Sequence, residues 1–284
     1  MVRIVENAYG KSRVRLFKVV RGLTSHEVKD WTVEMLLSGD YASCFTSGDN
    51  SSILPTDTMK NAVYSLARDT VANCIEEFAL ELSDYLLGAS VAACSARVEI
   101  AEKKWAHIAV GGSLHPSTFQ QRDSAVQRTI VANSRSGELR VVSGLRGVVL
   151  LKTANSAFEG FITDKLTTLK ETSDRLFGTE LTASWTYVGN AGLAGVKYEE
   201  LRETIARTLL ETFAKHVSLS VQHTLYAMGE AVLAAVATVE EITLKMPNRH
   251  CLLVNLEPFG QNNPNQIFVP IDEPHGSIEA RIVR

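Results

Sequence analysis

The chain has no close-spaced cysteines. Cys44, Cys74, Cys94 and Cys251 are scattered over 284 residues, which excludes a Cys-x-x-Cys redox pair and a thiolate metal knuckle. Such spacing fits reduced, partly buried thiols in a cytosolic protein. An excess of one charge is missing too: 29 basic residues meet 32 acidic ones, a formal balance of −3. That leaves no field to attract nucleic acid or an anionic membrane. Long hydrophobic runs are also wanting. The most apolar helix-length stretch, Ala227 to Val239, contains Glu230 and is too short to cross a bilayer. Arg3 and Glu6 interrupt any apolar leader, and Ile282-Val283-Arg284 is not a peroxisomal address, so the expected location is the cytoplasm. The seven histidines form no helical His-x-x-x-His pair, so neither a metal nor another cofactor is expected. The loop Gly189-Asn190-Ala191-Gly192-Leu193-Ala194-Gly195 lacks the Gly-Lys-Ser/Thr ending of a phosphate cradle and reads as a connector.

What is present is apolar periodicity that changes type along the chain. Residues 13–21 and 28–37 read as an opening hairpin. From Lys60 to Leu87, Ala67, Val71, Cys74, Phe78, Leu82 and Tyr85 follow the 3-4 spacing of a helix. Alternation returns with Ala92, Cys94, Ala96, Val98 and Ile100, and again around 125–133. The second half repeats the order. Strands are expected at 138–152 and 180–188, then helices striped by Leu201, Ile205, Leu209, Phe213 and by Val221, Leu225, Met228, Val232. Paired strands follow at 239–246 and 251–256, with a short last one through Ile278, Ala280 and Ile282. Each half therefore runs strands, helical layer, strands. The expectation is an α+β fold made of two tandem antiparallel units, residues 1–137 and 138–284, whose long strand edges call for self-association.

Several polar segments interrupt these patterns. Lys11, in Tyr9-Gly10-Lys11, is either a solvated member of a basic stretch or a lysine whose burial fits it to move protons. Leu54-Pro55-Thr56-Asp57 precedes the long helix; capping by Thr56 or Asp57 is the ordinary use, and anchoring a ligand on free N–H groups is the other. Phe158-Glu159-Gly160-Phe161 and the polar run ending in Asp174-Arg175 are a surface connector, or else an aromatic face with a two-pronged guanidinium. Val221-Gln222-His223 opens the last helix, where Gln222 offers both a donor and an acceptor. Pro247-Asn248-Arg249-His250 follows the alternation of Ile242, Leu244 and Met246. It reads as a polar turn between strands, or as a place where an imidazole is held to move protons.

Taken together, Tyr9-Gly10-Lys11, Thr56-Asp57-Thr58-Met59-Lys60-Asn61, Thr167-Thr168-Leu169-Lys170-Glu171-Thr172 with Asp174-Arg175, Ser220-Val221-Gln222 and Pro247-Asn248-Arg249-His250 resemble the uricase family over essentially the whole chain. The resemblance implies a tunnelling fold of two repeats, each a four-stranded antiparallel sheet with helices on one face, assembled as a homotetramer with sites between subunits. It implies cofactor-free oxidation of urate by O₂ and water to 5-hydroxyisourate and hydrogen peroxide. Lys11, Thr56 and His250 would be the proton relay. Thr56, Asp57, Phe158, Arg175, Val221, Gln222 and Asn248 would bind substrates. Leu166, and Ser117-Thr118 after His115-Pro116, depart from the family pattern. Two alternatives remain open: another tunnelling-fold enzyme acting on a pterin or GTP, and a non-catalytic purine-binding oligomer.

Overall fold

A computed structural model describes residues 2–189, 193 and 195–284, apart from the side chains of residues 123 and 272. The connector expected at Gly189 to Gly195 lies largely outside the described residues. The chain divides into two compact units, Met1–Gly144 with Thr186–Glu200, and Leu145–Trp185 with Leu201–Arg284.

In the first unit, β1 (Ala8–Arg21) and β2 (His26–Gly39) form an antiparallel hairpin, followed by α1 (Ala42–Ser47), α2 (Thr56–Asp69) and α3 (Ile75–Ala89). The strands β3 (Ala93–Val110) and β4 (Ser113–Ser134) complete the order β1-β2-β3-β4. The period of 2 puts Trp31, Val33, Met35 and Leu37 of β2 on one buried face with Val98 and Ile100 of β3. Helix α3 lays Phe78, Ala79, Leu82 and Leu86 against that face, and Phe78 meets Trp31 with ring centroids 5.0 Å apart. Each large apolar side chain buried this way contributes about 1.5–3 kcal/mol.

The single helix expected from Lys60 to Leu87 is in fact two, broken at residues 70–74. Local hydrogen bonds outcompete the helix there. The Thr70 hydroxyl accepts the Ala72 N–H at 3.0 Å and donates to Glu81, while Glu77 accepts the Asn73 N–H at 2.7 Å. Lys29, its pKa lowered by burial, donates to the Ala72 and Asn73 carbonyls, and Lys18 reaches those of Arg68 and Thr70. Cations at the carbonyl end of a helix also favour its dipole. Apolar spacing alone runs through the break because Val71 and Cys74 happen to keep the period.

The second unit takes the end of β5 (Leu139–Lys152), most of β6 (Phe177–Tyr187) and α4 (Tyr198–Lys215), and all of α5 (Val221–Ala235). After these come β7 (Val239–Lys245), β8 (Asn248–Leu253), β9 (Phe268–Gly276) and β10 (Glu279–Val283). The buried face carries Phe177, Leu181, Ala183 and Trp185 of β6 with Ile242 and Leu244 of β7, covered by Ile205, Leu209 and Phe213 of α4 and Leu225, Met228 and Val232 of α5. Gly229 of α5 lets the helix close onto β10, since a Cβ there would lie 2.3 Å from the Ile282 Cδ1.

Two expectations fail here. The strands expected to pair at 239–246 and 251–256 do not: β7 pairs with β10 (Ile242↔Ile282), and β8 pairs with β6 and β9. Met246 donates its N–H to the Ile278 carbonyl, on the side of β10, and Pro247 has no N–H to donate, so the chain leaves β7 without closing a hairpin onto β8. Asn248, Arg249 and His250 are accordingly not a turn but the opening of β8 itself. The strand β9 was not expected, because Phe268 to Gly276 is broken by Pro270 and Pro274.

Candidate active site

In the first unit the candidate residues sit where β1 loses its regularity. Lys11 pairs with Met35, but the next regular pair is Val14 with Val33, and between them Arg13 adopts φ 57°. A bulge of this kind re-aims the side chains beside it. Lys11 is half-buried. Gly10 is required just before it, because a Cβ would stand 1.8 Å from the Met35 carbonyl oxygen.

Thr56 opens α2, and the cap is Pro55, without a side-chain hydrogen bond. The capping expected of Thr56 or Asp57 is therefore not what these residues do. Thr56 stands inside the first turn, where N–H groups without a side-chain cap face outward and can meet a ligand atom. The Asp57 carboxylate instead holds Lys60 and Asn61, and the Lys60 hydrogen bond pulls its pKa below the ordinary range, with the Lys11 charge adding to the effect. Lys11 and the start of α2 thus lie within electrostatic reach of each other.

Tyr9, to which the sequence reading gave no role, ties the two segments. Its hydroxyl accepts the Leu54 N–H at 2.8 Å, and its ring packs edge-on against Tyr41 at 4.8 Å. Burial pushes its pKa up to about 12, so near neutral pH it holds its proton and acts as a brace rather than a base.

In the second unit a strap of irregular chain gathers the other candidates. Ser218 donates its N–H to the Asn155 carbonyl at 2.9 Å and Ala157 donates to the Ser218 carbonyl at 2.7 Å, a parallel bridge between Ser156 and Ser218. Phe158 and Thr172 exchange N–H···O bonds of 2.8 and 3.1 Å. Arg175 donates its backbone N–H to Ser156 at 2.8 Å, and Ser156 donates its own to Asp174 at 3.1 Å. These bonds fix Phe158, Arg175 and the residues leading into α5 as one knot.

The Arg175 guanidinium lies 5.3 Å from the Phe158 ring centroid, and Phe161 stacks on Phe158 at 5.0 Å with the planes 14° apart. Arg175 Nε is buried and has no hydrogen-bond partner among the described residues, and burial lowers the guanidinium pKa. A buried donor left unmatched costs free energy until a ligand accepts from it. Beyond the knot, Val221 is buried as the first residue of α5 and Gln222, next to it, is exposed. The cap of α5 is Ser220, whose hydroxyl accepts the His223 N–H at 3.1 Å. This is the capping that a serine before a helical stripe predicts.

Asn248 and His250 are half-buried on β8, and the strand period puts them on one face with Arg249 on the other. Arg249 pairs with Glu180 of β6, opposite Gly178. Pairing with β9 slips between Asn248↔Gly276 and His250↔Ile271, so this candidate, like Lys11, stands beside a strand irregularity. The structure thus joins Lys11, Thr56 and Asp57 in one unit and Phe158, Arg175, Val221 and Gln222 in the other, with Asn248 and His250 on a strand that pairs with β6. Among the described residues no group of three or more His, Cys, Asp or Glu is placed to hold a metal.

A model of the uricase family matches residues 7–132 and 141–279. The chain is 39% identical to the uricase of Arthrobacter globiformis over 98% of its own length and 89% of that protein, and 37% identical to that of Arabidopsis thaliana over 99% and 96%. It superposes on the crystal structure of the Arthrobacter globiformis uricase with a TM-score of 0.93, at 38% identity, covering all of this chain and 96% of the other. The α+β arrangement is the tunnelling fold of those structures. The chain belongs to the uricase family.

Proposed function

We propose that this chain, a urate-oxidising enzyme by family, works without a metal or organic cofactor: urate, O₂ and water give 5-hydroxyisourate and hydrogen peroxide. Ground-state O₂ reacts poorly with closed-shell molecules, so the protein must first make the purine electron-rich by removing a proton. The observation that carries this reading is Arg175, held over Phe158 with a buried Nε that has no hydrogen-bond partner among the described residues. It is a fork made to grip the edge of a flat heterocycle while the ring lies against Phe158.

On this reading Gln222 grips the same edge with donor and acceptor, and backbone groups at Asp57 and Val221 meet the remaining polar atoms. Lys11, Thr56 and His250 withdraw the proton and later deliver protons to the departing peroxide, and Asn248 holds O₂ and then water. General acid–base help of this type supplies roughly 10²–10⁴-fold, and positioning of the partners adds several kcal/mol more.

Self-association belongs to the reading. Phe17, Val19 and Val20 leave an apolar stretch exposed on β1, a strand that could pair with another copy. A homotetramer in which a second copy completes each site would use it, with the repeat boundary between residues 137 and 138 and the cytoplasm as its location. A monomer by light scattering would end the shared-site arrangement. The chemistry itself is tested by following urate absorbance in air with purified, chelator-treated protein. Loss of absorbance with one peroxide formed per urate is the expected result. Unchanged absorbance, or loss abolished by the chelator, would overturn it.

A further inference from the structure

Lys152, the last residue of β5, has no part in the proposed chemistry, yet it is buried where the strap begins. Its Nζ donates to the His216 carbonyl at 2.6 Å and to the Ala214 carbonyl at 3.3 Å, and it lies 5.5 Å from the Phe213 ring centroid. Among the described residues no carboxylate pairs with it. A buried ammonium is costly unless its hydrogens are taken. Here the end of α4 takes them, where helix carbonyls lack intrahelical partners and the dipole favours a cation.

The cation is the first rung of a ladder between two segments that run the same way. Beyond Lys152, Asn155 turns at φ 60° and its carbonyl accepts the Ser218 N–H at 2.9 Å, and Ala157 then donates to the Ser218 carbonyl at 2.7 Å. One segment goes on to Phe158, the proposed floor of the purine. The other goes on to Ser220, whose hydroxyl caps α5, and to Val221 and Gln222, the proposed grip on its edge. Groups that must face one ligand thus arrive along separate segments, and the rungs between them set how they face it. The first unit uses the same device more loosely. Lys18 of β1 reaches the Arg68 and Thr70 carbonyls at 3.5 and 3.4 Å, at the end of α2, and the chain runs from there into α3, which carries no candidate site residue.

We propose that Lys152 is a positioning residue for urate binding: by tying the end of β5 to the end of α4 it sets Val221 and Gln222 opposite Phe158, so that its loss weakens urate binding without slowing the chemical step. The proposal rests on Phe158, Val221 and Gln222 holding the purine.

The test is kcat and KM for urate in the wild type, Lys152→Met, Lys152→Arg and Lys18→Met. Lys152→Met keeps the length of the side chain and removes its donors. KM should rise about tenfold, the loss of one charged hydrogen bond, with kcat held within about twofold. Lys152→Arg keeps a cation for the same carbonyls and should bring KM back to within about threefold of the wild type. Lys18→Met removes the matching cation of the first unit and should lower the melting temperature slightly while KM stays put. If Lys152→Met does not fold, Lys152→Gln, neutral but still a donor, should raise KM about threefold. A KM equal to the wild type in Lys152→Met (or in Lys152→Gln where that variant stands in), a loss confined to kcat, or an equal rise in Lys18→Met would overturn the proposal. Combined with Gln222→Ala, Lys152→Met should raise KM by less than the product of the single effects; the full product would mean that Lys152 does not act through Gln222 and would overturn it too. Gln222→Ala alone separates the two readings. If it leaves KM unchanged, the binding role of this segment fails. If it raises KM while the Lys152 variants track the wild type, only the positioning is wrong.

Discussion

The two units hold their candidate residues by different physical means. In the first, Lys11 and Thr56 owe their positions to backbone irregularity: a bulge in β1 with Arg13 at φ 57°, and a helix whose first turn is capped by proline without a side-chain bond. In the second, Phe158 and Arg175 owe theirs to a net of backbone hydrogen bonds across a strap, and the Arg175 fork keeps a buried donor unspent. Groups that move protons need freedom to meet substrate and one another, whereas a group that grips a flat ligand gains by being rigid beforehand. Under the proposed roles the comparison is between Lys11, held by irregular backbone and set to move protons, and Arg175, held by a hydrogen-bonded strap and set to grip the purine.

The sharpest way to break that division is Lys11→Met, which should lower kcat by about 10²–10⁴-fold while leaving the binding of a non-reactive purine nearly unchanged. Equal loss of binding, measured by calorimetry, would erase the distinction. Arg175→Ala should do the reverse and weaken purine binding by about 10²-fold. Arg175→Lys, which keeps a charge but not the fork, should recover little of it.

Gly10→Ala tests the anchoring of the first half, because the new Cβ would fall on the Met35 carbonyl. Denaturant unfolding should show a loss of about 2–3 kcal/mol, the cost of forcing packed backbone apart. A smaller effect is expected for Tyr9→Phe, which takes the acceptor from the Leu54 N–H. Turnover should fall about fivefold, in line with one lost hydrogen bond, with purine binding intact. Last comes Lys215→Ala on exposed α4, where the pair with Glu211 is solvated on both sides and neither melting temperature nor rate should move measurably.

Which strands and helices exist was legible in large part, because apolar periods of 2 and 3.6 report which face is buried whatever the partner. Thus β2, β3, β6, α4 and α5 are found where Val33, Val98, Leu181, Ile205 and Leu225 mark them. The break between α2 and α3 was not legible, since it depends on Lys29 and Glu81, distant in sequence or an unmarked turn away. Nor was the strand pairing of β7 and β8, because a period shows that a strand has a face and not which neighbour it finds.

For the candidate site, the motifs around Lys11, Thr56, Arg175, Gln222 and His250 could be singled out from residue types and from the likeness to a known family. Their supports could not. Tyr9 bracing Leu54, Ser156 joined to Ser218, and His216 against His223 all rest on contacts between chain segments far apart in number or on ring orientation. By itself the sequence determined the family, the alternation of strands and helices, and the identity of the groups available for chemistry. These follow from local pattern and side-chain type. Only the tertiary structure decided which of those groups stand together, which donors stay unspent and which helix starts are capped, because hydrogen bonds and burial are properties of neighbours in space, and the order of residues does not state them.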